Sequence, residues 1–230
     1  MRNRRGLFAG MQSGRLSGFV PYKGTKDLPN AGRISRFIRN FVDMKVALCQ
    51  FSMEWEAAAR NLRRAEELVA QAGADLALLP EMFATGFVTE PWRTALPDEE
   101  ELLAWMRRTA RRYATALAGS AVVRSGDRFA NRFFFVRPAG GAERYDKRHL
   151  FSIGGEDAHF VAGRRRVVVE YGGLRFLPLV CYDLRFPVWC RCRSDYDAIL
   201  CVASWPAPRR EVWRTLLRAR AIENQCYVVG

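Results

Sequence analysis

The apolar stretches of this chain are short and regularly interrupted, and that restricts its fold more than any other feature. LALLP (76–80), FFFV (133–136), FLPLV (176–180) and AILCVAS (198–204) are all strand-sized. None approaches the roughly 18 apolar residues of a membrane-spanning helix, so no membrane partner is expected. Between these runs lie amphipathic stretches. Over 55–72, Ala57, Leu62, Ala65, Leu68 and Val69 fall near one helical face with Arg and Glu opposite, and Gly73 stops the pattern. Further helices are expected over 98–115 and 209–224. A strand over 45–51 opens the series. ALAGSAVVR, RFANRFFFVRP and AERYDK, joined at Gly126-Asp127 and Gly140-Gly141, read as a meander. RVVVEY and LRFLPLVCYD read as a hairpin about Gly172-Gly173, and AILCVAS and CYVVG add two strands. The pattern implies an α/β protein whose sheets mix β-α-β and hairpin connections.

A formal charge of +13 invites a nucleic-acid reading. Its distribution argues otherwise. Residues 1–43 hold nine basic and two acidic side chains, whereas residues 44–230 hold 28 and 22. No basic stripe interleaved with aromatics follows, so no nucleic-acid partner is expected. Residues 1–43 are rich in Arg, Gly and Ser with little period. They read as a disordered basic extension, a transit-like peptide, or sequence upstream of a true start at Met44. The domain is taken as 44–230. It stops directly after an apolar strand, which reads as a truncated C-terminus.

Six cysteines occur, several inside apolar runs, and residues 1–43 lack the apolar core of a secretory signal. Free thiols in a reducing, cytoplasmic compartment are expected. Cys190-x-Cys192 is not a zinc spacing and there are only two histidines, so no metal is expected.

Three residues share one placement. Glu81 follows LALLP, Lys147 ends YDK, and Cys181 ends FLPLV, each at the carboxyl end of an expected strand. In layered α/β folds such ends converge on one rim. Singly, each has a plain alternative: a solvated loop acid, a chance lysine, an inert core thiol. Against chance, Lys147 is the only lysine after Lys45 in a chain with 37 basic residues, and arginine does not replace a compact ammonium. Neither histidine lies near Cys181 in sequence, so a Cys-His pair with His149 or His159 is the lesser alternative.

LLPEMFATGF, YDKRHLF and LVCYDLRFPVW resemble the three signature blocks of the nitrilase (carbon–nitrogen hydrolase) superfamily. ASWPAPR and RARAIENQCYVVG resemble its following helix and strand. The likeness is to its bacterial omega-amidase branch, over 44–230 and in the family's order. It implies a four-layer α-β-β-α sandwich. It also implies Glu81 as general base, Lys147 as oxyanion stabiliser and Cys181 as nucleophile, with Glu156 in support and the Tyr182 N–H at the oxyanion. The reaction would be hydrolysis of a small amide to acid and ammonia through a thioester, without a cofactor. The omega-amide of a 2-oxo dicarboxylate, such as 2-oxoglutaramate or 2-oxosuccinamate, is the substrate the branch implies. Arg185 or Arg209 is then the candidate to hold the distal carboxylate, with a surface or structural salt bridge as the alternative, and Phe83 and Trp205 are candidate pocket walls, with ordinary core packing as the alternative. A homodimer is implied where the whole domain is present. Another small-amide or carbamoyl hydrolase, or an inactive nitrilase-like interaction protein, stands as the alternative.

Overall fold

Two sheets face each other in this computed structural model, which describes residues 11–14, 44–93 and 98–230. Strands β1 (Met11–Gly14), β2 (Val46–Cys49), β3 (Leu76–Leu78), β4 (Ala116–Ser125), β5 (Arg128–Val136) and β6 (Ala142–Asp146) form the first, in that order. Strands β7 (Val169–Tyr171), β8 (Leu174–Val180), β9 (Ala198–Val202) and β10 (Tyr227–Val229) form the second, ordered β10-β9-β8-β7. Pairs β2–β3, β3–β4, β8–β9 and β9–β10 are parallel, as their long crossovers require. The meander β4–β5–β6 and the hairpin β7–β8 are antiparallel. Helices α1 (Ala58–Ala72), α2 (Glu99–Tyr113) and α5 (Arg210–Asn224) span 15 residues each, and α3 (Glu156–His159) and α4 (Pro187–Cys190) are single turns.

Strand alternation builds the layers. Ala116, Ala118, Phe133 and Phe135 of the first sheet meet Phe176, Val180 and Leu200 of the second in one buried cluster. The intervening Leu117, Ala121 and Val123 turn to the other side, against Leu68 and Val69 of α1 and Leu102, Leu103 and Met106 of α2. On the far face of the second sheet, Leu177, Leu179 and Ile199 pack with Trp213, Leu216 and Leu217 of α5. The result is a four-layer α-β-β-α sandwich. Strand β3 is buried throughout, which is why LALLP is apolar without alternation.

Two boundaries differ from expectation for identifiable reasons. Helix α2 starts at Glu99 because the Asp98 side chain accepts the Glu100 N–H at 2.8 Å, and three glutamates occupy the first turn. RVVVEY becomes strand only from Val169. Arg166 instead leaves the ladder to pair with Asp195 and to donate to the Trp189 carbonyl at 3.2 Å.

Of the expected extension, only Met11–Gly14 are described; they pair antiparallel with β2 at the sheet edge. The rest of 1–43 lies outside the described residues. Among the described residues, the buried clusters draw on Met44 and later positions. We therefore propose Met44 as the domain boundary. A chain beginning at Met44 is expected to keep the parent's far-ultraviolet circular dichroism and its activity. Loss of the native spectrum would place the extension inside the core.

Candidate active site

Strands β3, β4 and β6 run in one direction, since two antiparallel steps restore the sense of β4 in β6. Their carboxyl ends therefore share one rim, and the parallel β8 and β9 end opposite it. Glu81 lies just past β3, Lys147 directly past β6, Cys181 directly past β8 and Ser204 just past β9.

Glu81 is fully buried. Its neighbours hold it in place: Met82 N–H donates to Ser120 Oγ at 3.1 Å and Phe83 N–H to the Ser120 carbonyl at 3.0 Å. Lys147 Nζ lies 2.9 Å from Glu81 Oε1 and 2.8 Å from Glu156 Oε2, with all three side chains at 0 % exposure. A charge buried this deeply is tolerated only when paired and hydrogen-bonded. Burial by itself would lower the lysine's pKa. The carboxylates of Glu81 and Glu156 outweigh it and hold the ammonium charged well above its ordinary range. Glu156 reaches the box because the chain turns sharply before it. Gly155 has φ +79°, and a Cβ on Gly154 would lie 2.5 Å from the Phe151 ring. The Phe151 N–H also donates to Glu156 Oε2 at 2.7 Å.

Two further residues complete the box. Asn131 Nδ2 lies 2.8 Å from Glu81 Oε1 and 3.1 Å from Glu156 Oε1. Ser204 N–H donates to Glu81 Oε2 at 2.8 Å, and its hydroxyl to the Glu81 carbonyl at 3.2 Å. Sequence reasoning misses both. The signal for Asn131 was a lone amide between Phe129 and Phe133, two residues to either side on an otherwise apolar strand face. Ser204 was the polar residue closing AILCVAS.

Cys181 opens a five-residue 3-10 turn with φ +49°, a region costly for any side chain bearing Cβ. Asp183, fully buried, secures the turn: it accepts Val180 N–H at 3.1 Å, Tyr145 OH at 2.8 Å and His149 N–H at 2.8 Å. His149 Nδ1 stands 2.8 Å from the same carboxylate. The segment bearing Lys147 is thereby tied to the turn bearing Cys181, across the two sheets. Burial raises the Cys181 thiol well above its ordinary range, the Glu81 carboxylate beside it adds to that, and Lys147 partly opposes it. A thiol raised in this way favours its protonated form, so a nucleophilic role for it needs a base close by. Burial also raises Cys190, to about 12, but with Arg220, not Lys147, as its nearest cation.

The mouth of the site is aromatic and cationic. Tyr182 stands edge-on to Phe151 at 5.3 Å, and Arg185 lies over Tyr182 at 5.8 Å and over Trp205 at 5.4 Å. Arg209 lies over Phe151 at 5.7 Å, and its carbonyl accepts Trp205 Nε1–H at 2.9 Å. Of the pocket residues expected from sequence, Tyr182, Arg185, Trp205 and Arg209 assemble here. Phe83 lies apart from them, in the core-packing position that was its alternative. The chain turns through a left-handed Met82 (φ +51°), and Phe83 enters the helix-side core, 5.9 Å from Trp105. A cavity of about 300 Å³ adjoins the mouth, lined in part by Pro80, Ala203, Trp205 and Trp213.

Among the described residues, no group of three His, Cys, Asp or Glu side chains is placed to hold a metal ion. None of their helices is long and apolar enough to cross a membrane.

Comparison with known proteins agrees with this architecture. The chain is 48% identical over 188 residues to omega-amidase YafV of Yersinia enterocolitica, covering 81% of this chain and 73% of that protein. It is 32% identical over 192 residues to 2-oxoglutaramate amidase of Bacillus subtilis, covering 80% and 74%. Its fold superposes with a TM-score of 0.76 on a CN-hydrolase superfamily protein of Xanthomonas campestris, solved with an arsenic adduct in its active site. That match is 40% identical and covers 81% of this chain and 76% of the other. Residues 45–230 match the carbon-nitrogen hydrolase family, and the chain belongs to it as an amidohydrolase of the nitrilase superfamily.

Proposed function

We propose that this amidohydrolase cleaves the omega-amide of a small 2-oxo dicarboxylate, releasing ammonia through a thioester on Cys181. The observation that carries the proposal is the buried Glu81–Lys147–Glu156 box beside a thiol that burial keeps protonated. Glu81 takes the Cys181 proton as Sγ bonds to the amide carbon. Lys147 spends two N–H bonds on Glu81 and Glu156, and its third is left for the oxyanion together with the Tyr182 N–H. The protonated Glu81 then gives its proton to the departing nitrogen as the C–N bond breaks. Water, deprotonated by the same carboxylate, opens the thioester to acid and thiol.

The substrate class is supported by the names of the relatives and by the mouth. Arg185 has no carboxylate within salt-bridge reach among the described residues, in contrast to Arg132, Arg166 and Arg175. It is held instead on two aromatic faces, a site suited to a carboxylate beyond the amide. Ammonia release from 2-oxoglutaramate, compared with a neutral amide of similar length, tests this. Arg185→Met is expected to raise KM for 2-oxoglutaramate by about 10–100-fold, the worth of one charged hydrogen bond, and to leave the neutral amide nearly unchanged. Equal effects on both substrates would remove Arg185 from carboxylate recognition.

A further inference from the structure

Asn131 stands where the two buried carboxylates meet, and no step of the reaction above uses it. Its Nδ2 bridges them, one N–H to each. Charge fixes the orientation of the amide, because the reverse would turn an oxygen towards two carboxylates. The Oδ1 left over is buried and has no hydrogen-bond partner among the described residues. Interiors rarely leave an acceptor unpaired. The side chain is placed for its donors, at the expense of its acceptor.

The lone pairs of Glu81 show what those donors accomplish. Oε1 accepts from Lys147 Nζ at 2.9 Å and from Asn131 Nδ2 at 2.8 Å, which occupies both of its lone-pair sites. Among the described residues, Oε2 accepts a single hydrogen bond, from Ser204 N–H at 2.8 Å, which leaves it one further site. We infer that Asn131 is a positioning residue that closes Oε1 of Glu81 and so dedicates Oε2 to the Cys181 proton. The inference rests on the reading of Glu81 as the base that serves Cys181.

The titratable groups facing Glu81 are Lys147 from the end of β6, Glu156 from α3, Cys181 from the turn after β8 and Cys201 from β9. Of these only Lys147 donates to Oε1, so the loss of Asn131 halves the donors on that oxygen. Two effects follow. Oε1 becomes a competing proton acceptor on the wrong side of the carboxylate. The ionised carboxylate also loses a hydrogen bond that favours it. Ionised Glu81 is the working form, and the acid limb of Cys181 reactivity therefore moves to higher pH.

The test is the rate at which iodoacetamide alkylates Cys181 across the acid range, read by peptide mass spectrometry and paired with the pH profile of ammonia release. In Asn131→Ala the acid limb is expected to move up by about one pH unit, about a tenfold loss below the limb. Asn131→Ser, whose single O–H reaches one carboxylate only, is expected to shift less, and serves if the alanine variant fails to fold. A folded variant whose two profiles overlay the parent's would overturn the inference. Failure of the underlying reading looks different: Glu81→Gln would then leave the parent's Cys181 alkylation profile unchanged, and both proposals would fall together.

Discussion

Cys181→Ala is expected to abolish amide hydrolysis with the fold intact, a loss on the order of 10⁴ or more in kcat, the scale seen when a catalytic nucleophile is removed. Cys181 is the cysteine whose thiol feels both Glu81 and Lys147, and it sits in a left-handed turn that Asp183 secures from within and from across the sheets. The other thiols lack that setting. Cys190 is packed beneath the turn with its sulfur 3.7 Å from the Asp183 carbonyl, and Cys192 lies 3.5 Å from the Tyr196 carbonyl. Cys190→Ala and Cys192→Ala are accordingly expected to retain most of the activity, with thermal melts separating any loss of folding from loss of chemistry. Hydrolysis by Cys181→Ala at the parental rate would end the assignment.

Lys147→Arg should lose about 10²–10³ in kcat, the cost of one oxyanion donor. Its ammonium fills a slot with no exposed surface between two carboxylates at 2.9 and 2.8 Å. A guanidinium is planar, larger and rigidly forked. It can satisfy the two carboxylates only by displacing them or by turning its remaining N–H groups away from the oxyanion. Lys45→Arg is the control. Lys45 is exposed, and it is its backbone N–H that binds Asp75, at 2.7 Å. That variant should be silent. A Lys147→Arg enzyme within a few-fold of the parent would show that any cation suffices in the box.

The parts of this site legible in the sequence are those fixed by strand polarity. A polar residue placed where an apolar run ends marks the carboxyl end of a strand, and Glu81, Lys147 and Cys181 all obey that rule, Lys147 past a strand whose partner among the described residues is antiparallel. Asn131 and Ser204 obey a different one. They matter because of what faces them across 50 and 123 residues of chain, and no local pattern carries that. For Phe83 the sequence left pocket wall and core packing open for a related reason: a single left-handed residue at Met82 directs the backbone, and positive φ at a methionine has no sequence signature. The order of strands and helices was legible from periodicity and the four layers only through the family resemblance, while RVVVEY lost its first three residues as a strand to Arg166, whose partner Asp195 is 29 residues away. Side-chain pairing over such a distance overrides β-propensity.

The proposed chemistry passes through a covalent acyl-enzyme on Cys181. Acid quenching of the enzyme during turnover of saturating 2-oxoglutaramate, followed by peptide mass mapping, reads that intermediate out. An acyl adduct is expected on the peptide carrying Cys181 alone, and none in the Cys181→Ala variant. Ammonia release from an enzyme whose Cys181 peptide keeps its unmodified mass, or an adduct on any other residue, would contradict it.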